Sequence, residues 1–246
     1  MGEAFALKYL IAIAGILFIL CIPAFLITSN LRLAVNEIRL YDYGFNRYDV
    51  SEAVGLDKTE LHAIAKDIIA YFNSDDKLLD VDIYNERDIS HMKDVKGLVR
   101  LDYTIQLASL AYIAFYAVVG FVLLRGSFRR KLFRNLFWGG VVTVTFLAVL
   151  GLWAVIGFDS LFRLFHLASF RNDLWQLSAG DKLLLMFPSG FFNLATLFIA
   201  GAVVIEAILI CAISWVVLGL GRKTKQDILP LRSQETTVEP SGTRSN

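Results

Sequence analysis

Cysteine is scarce in this sequence, and neither of its two cysteines lies where polar chemistry needs one. Cys21 and Cys211 both fall inside apolar runs. The polar loops therefore have no thiol for a disulfide framework or a Cys-based metal site. Excess charge is missing as well. The formal net charge is +1, which gives no footing for a nucleic-acid partner. There is no H-E-x-x-H, no P-loop, no G-x-S-x-G and no G-x-G-x-x-G. Histidine occurs three times, at His62, His91 and His166. Carboxylates would have to complete any zinc site, and no metal or cofactor is expected.

Apolar residues are abundant. They make up 56% of the chain, with a mean hydropathy of +0.57, too apolar for one soluble domain of this size. Four runs approach or exceed the roughly 20 residues that cross a bilayer. They cover about Tyr9 to Ile27, Tyr103 to Leu124, Leu136 to Ile156 and Leu194 to Leu220. The first run is long for a signal-peptide core and no small-x-small site follows it, so it reads as a retained span that includes Pro23. The sequence thus predicts an all-α membrane protein. Four transmembrane helices carry a small mixed extracytoplasmic domain and an interfacial amphipathic helix.

Charge sets the expected orientation. The loop Arg125–Asn135 carries five cations and no acid, and the tail after Gly221 begins R-K-T-K, so both should be cytoplasmic. The expected division is 1–28 for the N-terminus and first span, 29–102 outside, 103–124 spanning, 125–135 inside, 136–156 spanning, 157–193 outside, 194–220 spanning and 221–246 a disordered cytoplasmic tail. Fifteen acids stand against ten bases in the first outer segment, which suits translocation.

Within that segment the alternation L-Y-D-Y-G-F-N-R-Y suits a short strand or an extended piece on the headgroups. Its aromatics read as an interfacial belt; alternatively a tyrosine or Arg39 lines a substrate cleft. From Asp57 to Phe72 a helix is predicted, with D-K-T-E as capping box and Leu61, Ile64, Ile68, Ile69 and Phe72 on one face. His62 reads as a surface histidine. The acidic turn holding Asp75, Asp76, Asp80 and Asp82 lacks the glycine and terminal glutamate of a calcium loop.

Chemistry concentrates in E-R-D-I-S-H-M-K-D-V-K, Glu86 to Lys96, just before the second span. Ser90 is the expected cap of a helix, with His91 in its first turn, where the dipole favours neutral imidazole. A neutral histidine serves as a base. Asp94, three residues on, shares its face and can hold a ring nitrogen. The plainer alternative makes these residues interfacial polars, with Lys93 and Lys96 on lipid phosphates. In the second outer segment Phe158, Leu161, Phe162 and Phe165 recur at helical spacing, predicting an amphipathic helix lying in the interface with His166 at the edge of its apolar stripe. Asn172 and Trp175 read as positioning or belt residues, Asp181 as a helix cap and Pro188 as a stop. Glu206, in the middle of the fourth span, is expected to be a hydrogen-bond partner or to stay protonated; a proton-coupled carrier is the rival reading.

The strings H-M-K-D-V-K (His91–Lys96), H-L-A-S-F-R-N-D-L-W (His166–Trp175) and D-K-L-L-L-M-F-P-S-G-F-F (Asp181–Phe192) resemble the signatures of the bacterial lipoprotein intramolecular transacylases. The four-span layout with a long first outer loop is similar too. The polar tail after Leu220 and the S-A-G before Asp181 depart from that pattern. The resemblance implies a membrane acyltransferase that moves the sn-2 acyl chain of a diacylglyceryl-cysteine lipoprotein onto the cysteine α-amine. It implies no cofactor, lipoprotein and membrane lipids as partners, a monomer, and residence in the bacterial cytoplasmic membrane, where the charge-set orientation of four spans puts both termini inside. In that chemistry His91 is principal base and acid, oriented by Asp94. His166 is a second imidazole, donating to the oxyanion or shuttling a proton. Lys96, Asn172, Trp175 and Arg39 bind the substrate. Two other classes stay open: a non-catalytic protein binding a lipid or envelope partner through its outer domain, and a metal-dependent hydrolase. A shared catalytic site requires His91 and His166 to lie within roughly 4–8 Å of each other, room for one substrate atom or water.

Overall fold

In the computed structural model, residues 2–235 are described, with side chains described over 5–220. Among these described residues eight helices follow one another: α1 (Gly2–Asn36), α2 (Ile38–Arg47), α3 (Val50–Val54), α4 (Lys58–Asn73), α5 (Glu86–Leu124), α6 (Gly126–Ser169), α7 (Lys182–Met186) and α8 (Ser189–Glu235). Among the described residues there is no strand. Four of the helices are long and apolar enough to cross a membrane: α1, α5, α6 and α8.

These four pack as a bundle, α1 against α5, α6 and α8, and α6 along α8. Phe18, Ile22, Leu26, Tyr116, Phe128, Val203 and Ala207 form its core. Large apolar side chains such as Leu17, Phe115, Leu152 and Leu197 point outward. That inversion suits a bundle bathed in lipid, where outward leucine costs nothing. Close approach rests on small residues. A Cβ on Gly140 would lie 2.5 Å from Cys211 Sγ and 2.9 Å from the Ala207 carbonyl.

The helices outrun the spans. At 1.5 Å per residue, the 39 residues of α5 extend about 58 Å, against a hydrocarbon thickness of about 30 Å. Its charged first turns, Glu86 to Asp102, project beyond the apolar section. There they join α2, α3, α4, α7 and the start of α8 around a second core of Tyr41, Phe45, Leu61, Ile68, Tyr84, Met92 and Met186. We call this the domain end; the reversal at Arg125 marks the hairpin end. At Arg125 the chain turns with φ of 44° and α6 starts at once.

Residues 41–48 correct the extended reading. They are helical through Arg47 with Tyr48 as the C-cap, and Glu37 caps the start of α2 by accepting from the Arg39 amide. Tyr41, Phe45 and Tyr48 recur at four and three residues, a helical face that also reads as alternation when aromatics are dense. Tyr41 and Phe45 then pack against Phe187 and Phe191. The capping box of α4 is present, with Asp57 as cap and Glu60 returning to its amide. Ser90 is not a cap. Asn85 caps α5, paired with Asp88 in a second capping box, so the helix begins earlier and His91 sits in its second turn. Within α6 the backbone breaks helical geometry at Gly157. The break separates the spanning part from the short amphipathic piece that carries His166.

α8 continues as helix past residue 220 to Glu235. The rest of the expected tail, 236–246, lies outside the described residues. In the bundle, Glu206 accepts a 2.8 Å hydrogen bond from Asn30 Nδ2, the partnership expected of a carboxylate at that depth.

Candidate active site

Two segments far apart in sequence meet at the domain end. α5 supplies His91 from its second turn, and the post-kink piece of α6 supplies His166. Their rings lie 6.2 Å apart between centroids, tilted by 31°. Both imidazoles are buried, at 8% and 7% exposure. Phe170 packs against both, edge-on to His91 at 5.1 Å and 5.5 Å from His166. Phe162 and Trp175 complete the wall around His166, at 4.2 and 5.1 Å.

Hydrogen bonds from α5 hold the loop 170–181 in place. Asn172 Nδ2 donates to Asp94 Oδ2 at 2.8 Å, Arg87 Nη2 to the Asp173 carbonyl at 2.7 Å, and Asn85 Nδ2 to Asp181 Oδ1 at 2.9 Å. Tyr84 and Met186 join the same seam. The capped start of α5 is thus the platform on which the second loop is laid.

His166 Nδ1 lies 2.8 Å from the Phe162 carbonyl. A carbonyl only accepts, so Nδ1 carries the proton and neutral His166 keeps its lone pair on Nε2. His91 differs: its Nδ1 is buried without a protein partner. Burial, and then the field of His166, pull His91 from the ordinary 6.5 down to about 4, with Asp94 opposing. Burial also lowers His166, opposed by its bond to Phe162. Both rings are therefore neutral at ordinary pH.

The other candidates separate. Asp94 bonds to Asn172 rather than to His91, because the loop amide reaches it and the ring does not; its influence on His91 is through space. Lys96 turns away from the pair. Its ammonium donates to the Asp76 carbonyl at 2.7 Å and lies 3.9 Å over the Tyr71 ring, pinning the 74–76 turn. Arg39 is an exposed partner of Glu37 at 2.7 Å. Trp175 borders His166, whereas Asn172 is exposed on the loop and reaches Asp94. Asp181 holds the cap position of α7, but its carboxylate serves Asn85 and the Ser178 amide instead. His62 faces Asp42 across α4 and α2, at 2.9 Å.

Phe170 and Arg87 belong to the site, and sequence reasoning passed over both. Arg87 lies inside the polar stretch Glu86 to Lys96 that holds His91, and Phe170 sits one helical turn after His166, a signal that points back to the ring. Among the described residues no group of three His, Cys, Asp or Glu gathers as a metal site would.

The family model described as lipoprotein intramolecular transacylase Lit matches residues 16–192. Solved structures share the fold. The membrane integral lipoprotein intramolecular transacylase Lit from Bacillus cereus, determined in meso, is 21% identical, with a TM-score of 0.77 over 88% of this chain and 99% of its own. Two variants of that protein, with one histidine replaced by arginine or by alanine, are 20% identical with TM-scores of 0.74. They cover 91% and 90% of this chain and 98% and 99% of theirs. No curated protein matches.

Proposed function

The chain belongs to the lipoprotein intramolecular transacylase Lit family, and from that membership we propose that His91 and His166 carry an acyl transfer within one lipoprotein molecule. The substrate carries a diacylglyceryl group on its N-terminal cysteine and a free α-amine. The amine nitrogen attacks the sn-2 ester carbonyl. The tetrahedral intermediate collapses by breaking the bond to the glycerol oxygen. The proton lost by nitrogen ends on that oxygen, leaving an amide and a glycerol hydroxyl. Nothing else is consumed.

One observation carries this reading: two neutral imidazoles 6.2 Å apart, one from the start of α5 and one from the end of α6. His91 is the principal base and acid. Its buried Nδ1 makes no hydrogen bond within the protein, so no internal partner competes for the ring's proton. His166 is the shuttle. With Nδ1–H given to Phe162, its Nε2 accepts rather than donates, so the oxyanion must look elsewhere. The proposed donors are the indole N–H of Trp175, in the wall around His166, and the second amide hydrogen of Asn172, on the loop that Asp94 holds. Asp94 positions Asn172.

A weak base suffices here. The reference amine has a pKa of about 7.7–8.0, and the burial that lowers His91 lowers a cation bound beside it too. Tethering supplies much of the rest, since oriented intramolecular reactions reach effective molarities of about 10⁵ M.

The protein is a multi-pass membrane protein. Its proposed setting is the bacterial cytoplasmic membrane, with the domain end outside, the Arg125 hairpin inside and both termini cytoplasmic. The five cations of 125–135 support that orientation.

The test is expression in a bacterium whose lipoproteins keep a free α-amine, followed by mass spectrometry of the N-terminal lipopeptides. Wild type should yield the N-acyl lyso form and His91→Ala should not. Equal product from His91→Ala and His166→Ala removes both roles.

A further inference from the structure

The hairpin end of the bundle, opposite the histidines, carries a feature that acyl transfer does not use. Between residues 8–19 of α1 and 131–135 of α6 lies an open hollow of about 300 Å³. Lys8 from α1 and Lys131 and Arg134 from α6 line it, with no acidic residue among the lining groups. Among the described residues, none of these three cations joins an ion pair. The remaining walls are apolar, including Ile11, Ile16 and Ile19, with Asn135 at the floor.

The floor is fixed. Asn135 is buried and donates Nδ2 to the Tyr116 hydroxyl at 2.9 Å. A Cβ on Gly15 would lie 3.2 Å from that same Nδ2, so the two helices approach closely here and part below. The hollow is therefore a gap between helices, closed above and basic below.

Three cations sharing one hollow without an acid repel one another. Burial, and then Arg134 beside it, draw the Lys131 ammonium below its ordinary range. An anion relieves that repulsion. A fully hydrated ion would leave the isoleucines wet, whereas an amphiphile satisfies both surfaces. We propose that this hollow binds an anionic phospholipid, its phosphodiester against Lys8, Lys131 and Arg134 and its acyl chains along Ile11, Ile16 and Ile19.

Each cation near an anionic membrane surface contributes about fivefold in affinity, so removing two costs on the order of thirtyfold. The experiment is native mass spectrometry of the purified protein in micelles holding equimolar phosphatidylglycerol and phosphatidylcholine of matched chains. Wild type is expected to retain phosphatidylglycerol preferentially, and K131Q/R134Q to lose that preference about thirtyfold. Lys8→Gln, on the other helix, is expected to lose about fivefold, which keeps the test open should the double variant not fold. R129Q/R130Q removes the same charge from residues outside the hollow and is expected to keep the preference, and excess inorganic phosphate is expected not to displace the lipid. Absence of preference in wild type, an equal loss in R129Q/R130Q, or displacement by inorganic phosphate would overturn the site. The readout is bound lipid mass, independent of catalysis.

Discussion

At the residue scale, acyl transfer depends on the state of two imidazoles. Removing a positioned proton carrier costs about 10²–10⁴-fold, so His91→Ala and His166→Ala should each lower kcat by that order on a diacylated lipopeptide. The pH dependence follows from burial. His91 binds its proton at about pH 4 in the folded protein and near 6.5 once unfolded. Between those values the unfolded chain holds more protons, so stability rises with pH across that window and is fully present above about 6.5. Thermal melting should accordingly show Tm falling as pH drops from 6.5 toward 4, and less so in His91→Ala. In activity, kcat should show no break near 6.5, its acid limb lying closer to 4. Asn172→Ala should lower kcat by on the order of 10²-fold with KM little changed, as for a lost oxyanion donor. The histidines were legible because each sits in a polar string beside an apolar run. Asp94's partner was not: spacing of three puts it on His91's face but cannot reveal a competing amide arriving from residue 172. The partners of Lys96 and Arg39 are hidden from the sequence for the same reason, since the Asp76 carbonyl and Glu37 owe their positions to the folded turn and cap.

At the element scale, spans and amphipathic faces could be read and starts could not. Apolar length gave four helices, and the Phe158–Phe165 spacing anticipated the piece that the Gly157 break sets apart. The first turn of α5 escaped because Ser90 and Asn85 are both good caps, and only the Asp88 carboxylate returning to the Asn85 amide decides between them. The 41–48 stretch escaped because dense aromatics satisfy two periods at once. The cap of α5 also supports the second loop through Asp181, so Asn85→Ala should cost about 1 kcal/mol and lower Tm in a thermal scan, with a further loss of activity as the loop slackens. Gly140→Ala should cost about 1–3 kcal/mol, because its methyl meets the Ala207 carbonyl and α6 must shift from α8; melting in detergent measures it.

At the scale of the whole molecule, two cores divide the labour. One holds four helices in lipid; the other holds the start of α5 against the loops so that the histidines meet at the rim of the bundle. The proposed orientation makes Asp80→Cys reactive toward an impermeant maleimide in intact cells and Ser127→Cys reactive only after lysis; the reverse pattern would invert the topology. The central claim is that the acyl chain moves within one molecule under the two imidazoles. The direct measurement uses a synthetic diacylated lipopeptide with a deuterated sn-2 chain, mixed with unlabelled lipopeptide of a different peptide mass and incubated with purified enzyme. Deuterated acyl is expected on the amine of the labelled peptide only, with neither His91→Ala nor His166→Ala forming it at the wild-type rate. Label crossing to the second peptide, or undiminished transfer in both variants, would contradict it.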